Sequence, residues 1–105
     1  NAKNLIVLGY SQGVSVAMRY VAKRQIQCSQ LILHSGGIPK ELITEDFDFL
    51  NADISLIYGT NDEYLNEERM AYERERVFEL FGNHVNILPF EGTHQVNVEL
   101  IEQLV

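Results

Sequence analysis

LIVLGYSQG, residues 5–13, decides the fold class of this chain. Leu5 to Leu8 form a short apolar run, which is typical of a strand buried on both faces in a parallel sheet. The next five residues, GYSQG, form a G-x-S-x-G sequence, and apolar residues then recur with the period of an amphipathic helix. A strand, a sharp turn and a helix are therefore predicted in that order. The apolar positions of this helix are Val14, Ala17, Met18, Val21 and Ala22.

The alternation of strand and helix signals continues to the end of the chain. Further strands are predicted at residues 31–33, 54–58 and 85–89. Each is followed by a helix signal. These are a short helix from Pro39 through Leu42 and beyond, a long charged helix over residues 66–81, and a last helix burying Val98, Ile101 and Val105. Four strand-then-helix units in succession predict an α/β fold with parallel strands and right-handed crossovers. We see no linker, so residues 1–105 are expected to form part of a single domain.

The helix predicted over residues 66–81 is rich in charge. Glu75, Arg76 and Glu79 are expected to remain solvated, which favours a wet helix face over a binding patch. The residues expected to face the sheet are Met70, Val77, Phe78 and Phe81.

Composition excludes several classes of protein. Hydrophobic residues make up 46% and charged residues 22%, as in an ordinary globular domain. No apolar run reaches the length of a membrane span, and residues 1–4 lack the features of a signal peptide, so stable membrane insertion is not expected. Cys28 is the single cysteine, and no Cys/His spacing resembles a zinc site. These features favour a cytoplasmic location and predict neither a metal nor an organic cofactor.

The charge balance bears on the partners. Fifteen acidic residues against eight basic residues give a net charge of −7. Such a chain repels phosphate backbones and anionic lipid surfaces. A nucleic acid is therefore not an expected partner, whereas a small neutral ester remains possible.

The G-x-S-x-G sequence lies where catalytic chemistry would need it. The carboxyl ends of parallel strands deliver their following loops to one edge of the sheet, and a serine between a strand and a helix is the context that this motif requires. Gly9 and Gly13 supply the small residues that a crowded strand-to-helix turn demands. Ser11 is therefore a candidate nucleophile; the alternative is an ordinary hydroxyl at a helix N-terminus.

A serine nucleophile needs a base, and the base needs an orienting acid. Asp62 follows the third predicted strand and His94 follows the fourth, which gives the order Ser, Asp, His. His34 and His84 are rivals for the base; His84 precedes a strand and should lie at the opposite edge. The rivals for the acid are Asp46, Asp48, Asp53 and Glu63.

Further residues follow strands and are candidates for the walls of a substrate pocket. Tyr10, His34, Ser35 and Gly36 fall in this group, together with the rest of the loop through Ile38. Plain packing is the alternative for each of them.

Four sequences, GYSQG, LILHSGGIP, LIYGTNDEYL and EGTH, resemble the phospholipase/carboxylesterase branch of the α/β-hydrolases, which includes the acyl-protein thioesterases. The resemblance implies that Ser11 is the nucleophile, Asp62 the acid and His94 the base. It also implies that the Gln12 N–H is one donor of the oxyanion hole. The sequence departs from this branch at Thr93, where Gly is common before the histidine, and at residues 63–64, where Pro or an apolar residue often follows the acid.

The resemblance also implies what precedes the serine strand. Members of this branch have several strands before it, whereas here that strand begins almost at once. The chain is therefore expected to be the C-terminal half of a three-layer α/β-hydrolase fold. An exposed strand edge would favour a homo-oligomer or association with the missing N-terminal half.

The predicted function is a serine hydrolase that cleaves a small-molecule ester or thioester through an acyl-enzyme. A non-catalytic module of the same fold and a serine peptidase are the alternatives, because fold alone does not choose among them.

Overall fold

A computed structural model describes residues 5–105, so the prediction about a leader in residues 1–4 concerns residues outside this range. Within the described residues all four predicted strands form, and α-helices follow the first, third and fourth of them. The strands are β1 (Ile6–Tyr10), β2 (Gln30–His34), β3 (Asp53–Gly59) and β4 (Asn86–Phe90). The α-helices are α1 (Gly13–Arg24), α2 (Glu67–Phe81) and α3 (Val98–Leu104). Short 3₁₀ turns occupy Thr44–Phe47 and Gly82–His84.

The four strands form one parallel sheet in the order β1-β2-β3-β4. Each strand pairs with the next strand along the chain; Gly9 lies opposite Leu33, and Leu33 lies opposite Leu56. Parallel neighbours need a crossover connection, and α1 and α2 lie within two of the three crossovers. The predicted α/β class is confirmed.

The hydrophobic core lies against the two central strands. Leu31, Leu33 and Leu56 are fully buried, and Val14 and Met18 of α1 are buried with them. The α1 stripe predicted from the sequence is therefore the buried face of that helix. No helix within residues 5–105 combines the length and the apolar character that a bilayer-crossing segment requires.

Strand β1 differs from the prediction that its apolar run is buried on both faces. Leu5, Ile6 and Leu8 are exposed at 42%, 40% and 45%. The reason is position: β1 lies at the edge of the described sheet, where α1 packs on one face only. Alternate side chains of a strand point to opposite faces, so Ile6 and Leu8 share the face that α1 leaves uncovered.

The helix predicted from Pro39 through Leu42 does not form. This segment is a turn, and the Arg76 guanidinium donates to the carbonyl oxygens of Pro39 and Leu42 at 2.9 and 3.0 Å. The Pro39 and Leu42 carbonyl groups are hydrogen-bonded to a side chain outside the segment, so helical hydrogen bonds are not required to satisfy them. The prediction that Arg76 is solvated is wrong for the same reason, since its side chain is only 12% exposed.

Helix α2 buries Met70 and Val77 as predicted, but its buried face also includes residues that were not predicted. Its buried residues are Met70, Glu73, Val77 and Leu80. Phe78 is 37% exposed, and Phe81 is partly buried with its ring 4.8 Å from that of Phe47. A buried carboxylate on this face shifts the stripe away from Phe78.

Helix α3 also presents a shifted stripe. Val98 and Val105, both predicted to be buried, are 58% and 63% exposed. They lie at the two ends of the helix, whereas Leu100, Ile101 and Leu104 are partly buried along one side.

Candidate active site

Ser11 lies in the sharp turn between β1 and α1. Its φ is 56°, in the left-handed region that an L-residue seldom occupies without a surrounding structure that enforces it. The Ser11 N–H donates to the His34 carbonyl oxygen at 2.8 Å, and the Ser11 carbonyl accepts from the Val14 N–H at 3.1 Å. The first bond extends the pairing of β1 with β2, and the second begins the helix. The serine is therefore fixed at the carboxyl edge of the sheet.

Two glycines allow the backbone to approach Ser11 closely. A Cβ on Gly9 would lie 2.5 Å from the Gly13 oxygen, and a Cβ on Gly36 would lie 2.2 Å from the Ser11 oxygen. Neither position has room for a side chain. Gly13 differs from the prediction, because a Cβ there would have open space within 4 Å apart from its chain neighbours and the backbone of its own helix. Crowding at this turn therefore requires a small residue before the serine and in the loop after β2, but not at Gly13.

Asp62 follows β3 and is 4% exposed. One carboxylate oxygen, Oδ1, accepts from the Tyr64 and Leu65 N–H groups at 2.8 and 3.1 Å. Burial alone would raise the pKa of Asp62. The hydrogen bonds from His94 and from these two backbone groups outweigh burial and hold the pKa below its usual value. Asp62 is therefore an anion with a fixed orientation.

His94 lies in the turn after β4, and its ring lies between Asp62 and Ser11. Nδ1 is 2.6 Å from Asp62 Oδ2, and Nε2 is 2.9 Å from Ser11 Oγ. An ionised carboxylate only accepts hydrogen bonds, so the proton of a neutral ring lies on Nδ1. Nε2 is then free to accept from the serine hydroxyl. The Tyr10 hydroxyl donates to the His94 carbonyl at 3.1 Å and holds the turn beside the ring.

The rivals weighed from the sequence lie elsewhere or have other partners. Asp46 accepts from the Ile43 N–H at 2.8 Å at the start of a 3₁₀ turn. Asp53 begins β3, at the opposite end of that strand from Asp62. Glu63 is exposed, and His84 lies in the 3₁₀ turn before β4, at the amino edge of the sheet. The described residues thus bring Ser11, Asp62 and His94 together in one hydrogen-bonded series.

Comparison with known proteins shows the family and the fold of the chain. The family model described as Phospholipase/Carboxylesterase matches residues 1–105. The chain belongs to the phospholipase/carboxylesterase family. The crystal structure of the Bacillus cereus carboxylesterase is similar, with 17% sequence identity and a TM-score of 0.66 over 99% of this chain. This chain covers 48% of that protein, so it spans about half the length of the carboxylesterase. No curated protein matches the chain.

His34 of this family member lies beneath the hydrogen-bonded series and outside the cavity wall. It is fully buried, its Nε2 accepts from the Asn97 N–H at 2.9 Å, and its Nδ1 is 2.8 Å from Ser35 Oγ. Burial, followed by the proximity of His94, lowers the pKa of His34 to about 4. The ring is therefore neutral, with its proton on Nδ1. It joins the end of β2 to the loop after β4.

A cavity of about 640 Å³ opens beside Ser11 and His94. Of the predicted pocket residues, Ser35 and Gly36 line it, whereas Tyr10 and His34 do not. Tyr10 packs edge-on against His34, with ring centroids 5.2 Å apart, so both aromatic side chains support the floor of the site.

Gln12, whose N–H the family resemblance implies as an oxyanion-hole donor, also lines the cavity. It precedes the first residue of α1, and its N–H makes no hydrogen bond within residues 5–105. This donor is therefore available at the N-terminus of a helix, where the helix dipole favours negative charge.

Several cavity residues were not predicted from the sequence, among them Tyr64 and Arg69. Tyr64 is 69% exposed, and its ring packs edge-on against that of His94 with centroids 5.1 Å apart. Arg69, in the first turn of α2, lines the same cavity. A signal was present: α2 begins directly after the Asp62 loop, so its first turn must lie at the carboxyl edge of the sheet. The dense charge of α2 favours a solvated helix face in the sequence, and this interpretation does not distinguish Arg69 as a cavity residue.

Proposed function

We propose that this protein is a serine carboxylic-ester hydrolase that acts through an acyl-enzyme on Ser11. The observation that supports this most directly is the continuous series of hydrogen bonds from Ser11 Oγ through the His94 ring to Asp62, at 2.9 and 2.6 Å. Membership of the phospholipase/carboxylesterase family supports the same class of reaction. Small-molecule esters and thioesters are the proposed substrates, and no cofactor takes part.

The first chemical step forms the acyl-enzyme. Nε2 of His94 accepts the hydroxyl proton as Ser11 Oγ attacks the carbonyl carbon of the ester. The tetrahedral intermediate then collapses, the bond to the leaving oxygen or sulphur breaks, and His94 returns the proton to the leaving group. In the second step His94 deprotonates a water molecule as it attacks the acyl carbon. The bond between that carbon and Ser11 Oγ then breaks, His94 returns the proton to Ser11 Oγ, and the acid is released. Each step begins and ends with a neutral histidine.

Asp62 acts on His94 rather than on the substrate. Its Oδ2 holds the Nδ1 proton at 2.6 Å, and its Oδ1 is fixed by the Tyr64 and Leu65 N–H groups. The carboxylate therefore selects the productive tautomer and stabilises the imidazolium that forms during attack. Because the pKa of Asp62 is held below its usual value, the group stays ionised at neutral pH.

The developing oxyanion needs preorganised donors. The Gln12 N–H has no partner within residues 5–105 and lies directly after the nucleophile at the start of α1. We assign it as one oxyanion donor; loss of a donor of this kind costs about 10²–10³ in kcat.

Covalent labelling with a fluorophosphonate tests this proposal. The probe reacts with an activated serine, and peptide mass locates the adduct. We expect the label on Ser11 and its loss in Ser11→Ala and His94→Ala. Ser15→Ala is the matched control, because Ser15 lines the same cavity while its hydroxyl only donates to the Gln12 carbonyl at 3.1 Å.

Hydrolysis of paired ester and amide substrates separates the alternatives. An ester hydrolase should cleave a butyrate ester far faster than the matching amide, and Ser11→Ala should abolish turnover while Ser15→Ala retains it. A folded protein that neither reacts with the probe nor hydrolyses esters would be a non-catalytic module of this fold. Comparable rates on amides would assign a peptidase instead. The cytoplasmic location and association with another chain stay predictions.

A further inference from the structure

The residues that line the cavity beside Ser11 differ in composition from the acidic chain as a whole. The protein has a net charge of −7, yet the cavity is lined by Arg19 and Arg69 and by no carboxylate side chain of residues 5–105. Acidic residues outnumber basic residues nearly two to one, so this local reversal singles out the arginines.

Arg69 is held in place by a buried carboxylate. Its Nε donates to Glu73 Oε2 at 2.7 Å, and Glu73 is only 1% exposed. The other oxygen of Glu73 accepts from the Ile38 N–H at 3.0 Å, which ties α2 to the loop after β2. Both oxygens of the Glu73 carboxylate thus accept hydrogen bonds. The ion pair orients the Arg69 guanidinium through Nε and does not use Nη1 or Nη2.

Those terminal groups of Arg69 are free to bind. Neither Nη1 nor Nη2 has a hydrogen-bond partner within residues 5–105. The side chain is 51% exposed, so a ligand in the cavity can reach these groups. Nη2 lies over Gly37, where a Cβ would come within 2.5 Å of it. Gly37 also lines the cavity, so the absence of a side chain there leaves room for the guanidinium against the wall.

Arg19 is different because it already has a partner. Its Nε and Nη2 bind the two oxygens of Glu41 at 2.6 and 3.2 Å, a paired arrangement on the surface. Arg69 is therefore the cavity guanidinium with its outer edge available.

From this arrangement we propose that Arg69 recognises a carboxylate on the substrate, so that the preferred esters bear a carboxylate on their acyl or alcohol part. The proposal rests on the proposed ester hydrolysis at Ser11. The two amino groups of a guanidinium match the two oxygens of a carboxylate in a bidentate pair. A single available guanidinium in a chain of this net charge suits a monoanion better than a phosphate dianion.

The competing explanation is that Arg69 only stabilises the loop through Glu73. That explanation predicts no discrimination between charged and neutral substrates. The two readings therefore differ in specificity, whereas both predict some loss of stability when Arg69 is changed.

Hydrolysis of matched esters tests the proposal. One pair is 4-(butyryloxy)benzoate and its methyl ester, which places the carboxylate on the alcohol side. The other pair is monophenyl adipate and phenyl methyl adipate, which places it on the acyl side. We expect kcat/KM to favour the acid in at least one pair by about tenfold, the effect of one partly exposed charge-assisted contact.

Variants then assign the preference to Arg69. Arg69→Gln should abolish the preference for the acid, so that the two esters of each pair react with equal kcat/KM. Arg69→Lys retains an ion pair with Glu73, which protects the fold, and should reduce the preference severalfold because an ammonium lacks the parallel donors. Arg74→Gln is the control, since Arg74 binds Glu67 and the Tyr58 hydroxyl and does not line the cavity; it should leave the preference intact. A preference that is absent in the native protein, or unchanged in Arg69→Lys, overturns the proposal.

Binding of uncleaved analogues separates this proposal from the proposed function. In these analogues an amide replaces the ester bond that would be cleaved. Calorimetry would compare the affinity of each analogue that bears a free carboxylate with that of its methyl ester. Acid analogues that bind about tenfold tighter, with the difference reduced in Arg69→Lys and lost in Arg69→Gln, support the site even if no ester is hydrolysed. Equal binding of the acid and its methyl ester would refute the carboxylate site. If neutral esters were still hydrolysed rapidly and in a Ser11-dependent way, the proposed function would stand.

Discussion

Replacing His34 with phenylalanine tests how the loop bearing His94 is held. The phenyl ring fills nearly the same volume and keeps the aromatic contacts with Tyr10 and Phe90, whose ring centroids lie 5.2 and 5.9 Å away. It removes the hydrogen bonds to Ser35 Oγ and from the Asn97 N–H. The change therefore isolates hydrogen bonding from packing.

The expected cost follows from the burial of these groups. Each neutral hydrogen bond contributes about 1 kcal/mol, and a buried polar atom left without a partner adds about 1–3 kcal/mol. Ser35 is 1% exposed, whereas Asn97 is partly exposed and its N–H can reach water. We expect the free energy of unfolding to fall by about 2–4 kcal/mol. Loosening of the loop should also reduce kcat by at least about tenfold.

Urea unfolding followed by circular dichroism measures the first effect, and ester hydrolysis measures the second. His84→Phe is the matched control, because His84 is exposed in the 3₁₀ turn before β4. It should change the stability by less than about 0.5 kcal/mol. If His34→Phe is as stable and as active as His84→Phe, the hydrogen bonds of His34 do not hold the loop, and this reasoning is wrong.

Three further predictions use the same assays. Gly36→Ala places a Cβ 2.2 Å from the Ser11 carbonyl oxygen and should cost about 1–3 kcal/mol with a loss of activity, whereas Gly13→Ala, with open space around its Cβ, should cost nothing; equal effects would refute the steric argument. Asp62→Asn should retain the fold but reduce kcat by about 10⁴, and a loss below tenfold would contradict its role in fixing the tautomer. The pKa of His34 falls from 6.5 to about 4 on folding, so between these pH values the unfolded chain binds a proton that the folded chain does not. The free energy of unfolding should therefore drop by about 3 kcal/mol as the pH falls from 6.5 to 4. A His34→Phe variant that retains this drop would exclude His34 as its source.

Local patterns were sufficient to predict the four strands and the α-helices that follow β1, β3 and β4, but they also predicted a helix after β2 that does not form. Each strand is a short apolar run, and the α1 stripe from Val14 to Val21 matches its buried face, because these signals depend on neighbours in sequence. The same patterns could not show where a strand lies in the sheet. Ile6 and Leu8 have the sequence of a central strand, yet they are exposed at the edge.

Polar contacts between distant segments explain the remaining errors in the fold. The turn at residues 39–42 depends on the Arg76 guanidinium, which is more than 30 residues away in sequence. The buried position of Glu73 depends on the Ile38 N–H. No propensity of residues 39–42 or of α2 alone contains this information.

The candidate site was predictable to the extent that it follows strand ends. Ser11, Asp62 and His94 each come directly after a strand, so the topology alone brings them to one edge. The positions of His34 and Arg69 were not predictable in this way. The floor and the wall of the cavity depend on side-chain packing across β2 and α2, which a strand-end argument does not address.

The hydrogen bond between Ser11 and His94 joins residues 83 positions apart. It forms only when the whole series of strands from β1 to β4 is paired, and within residues 5–105 β4 has a single neighbour, β3. An outermost strand with one partner is among the first parts of a sheet to open in local unfolding. The proposed hydrolysis therefore depends on an edge strand of the described sheet, and we expect warming to inactivate the protein before its helices melt.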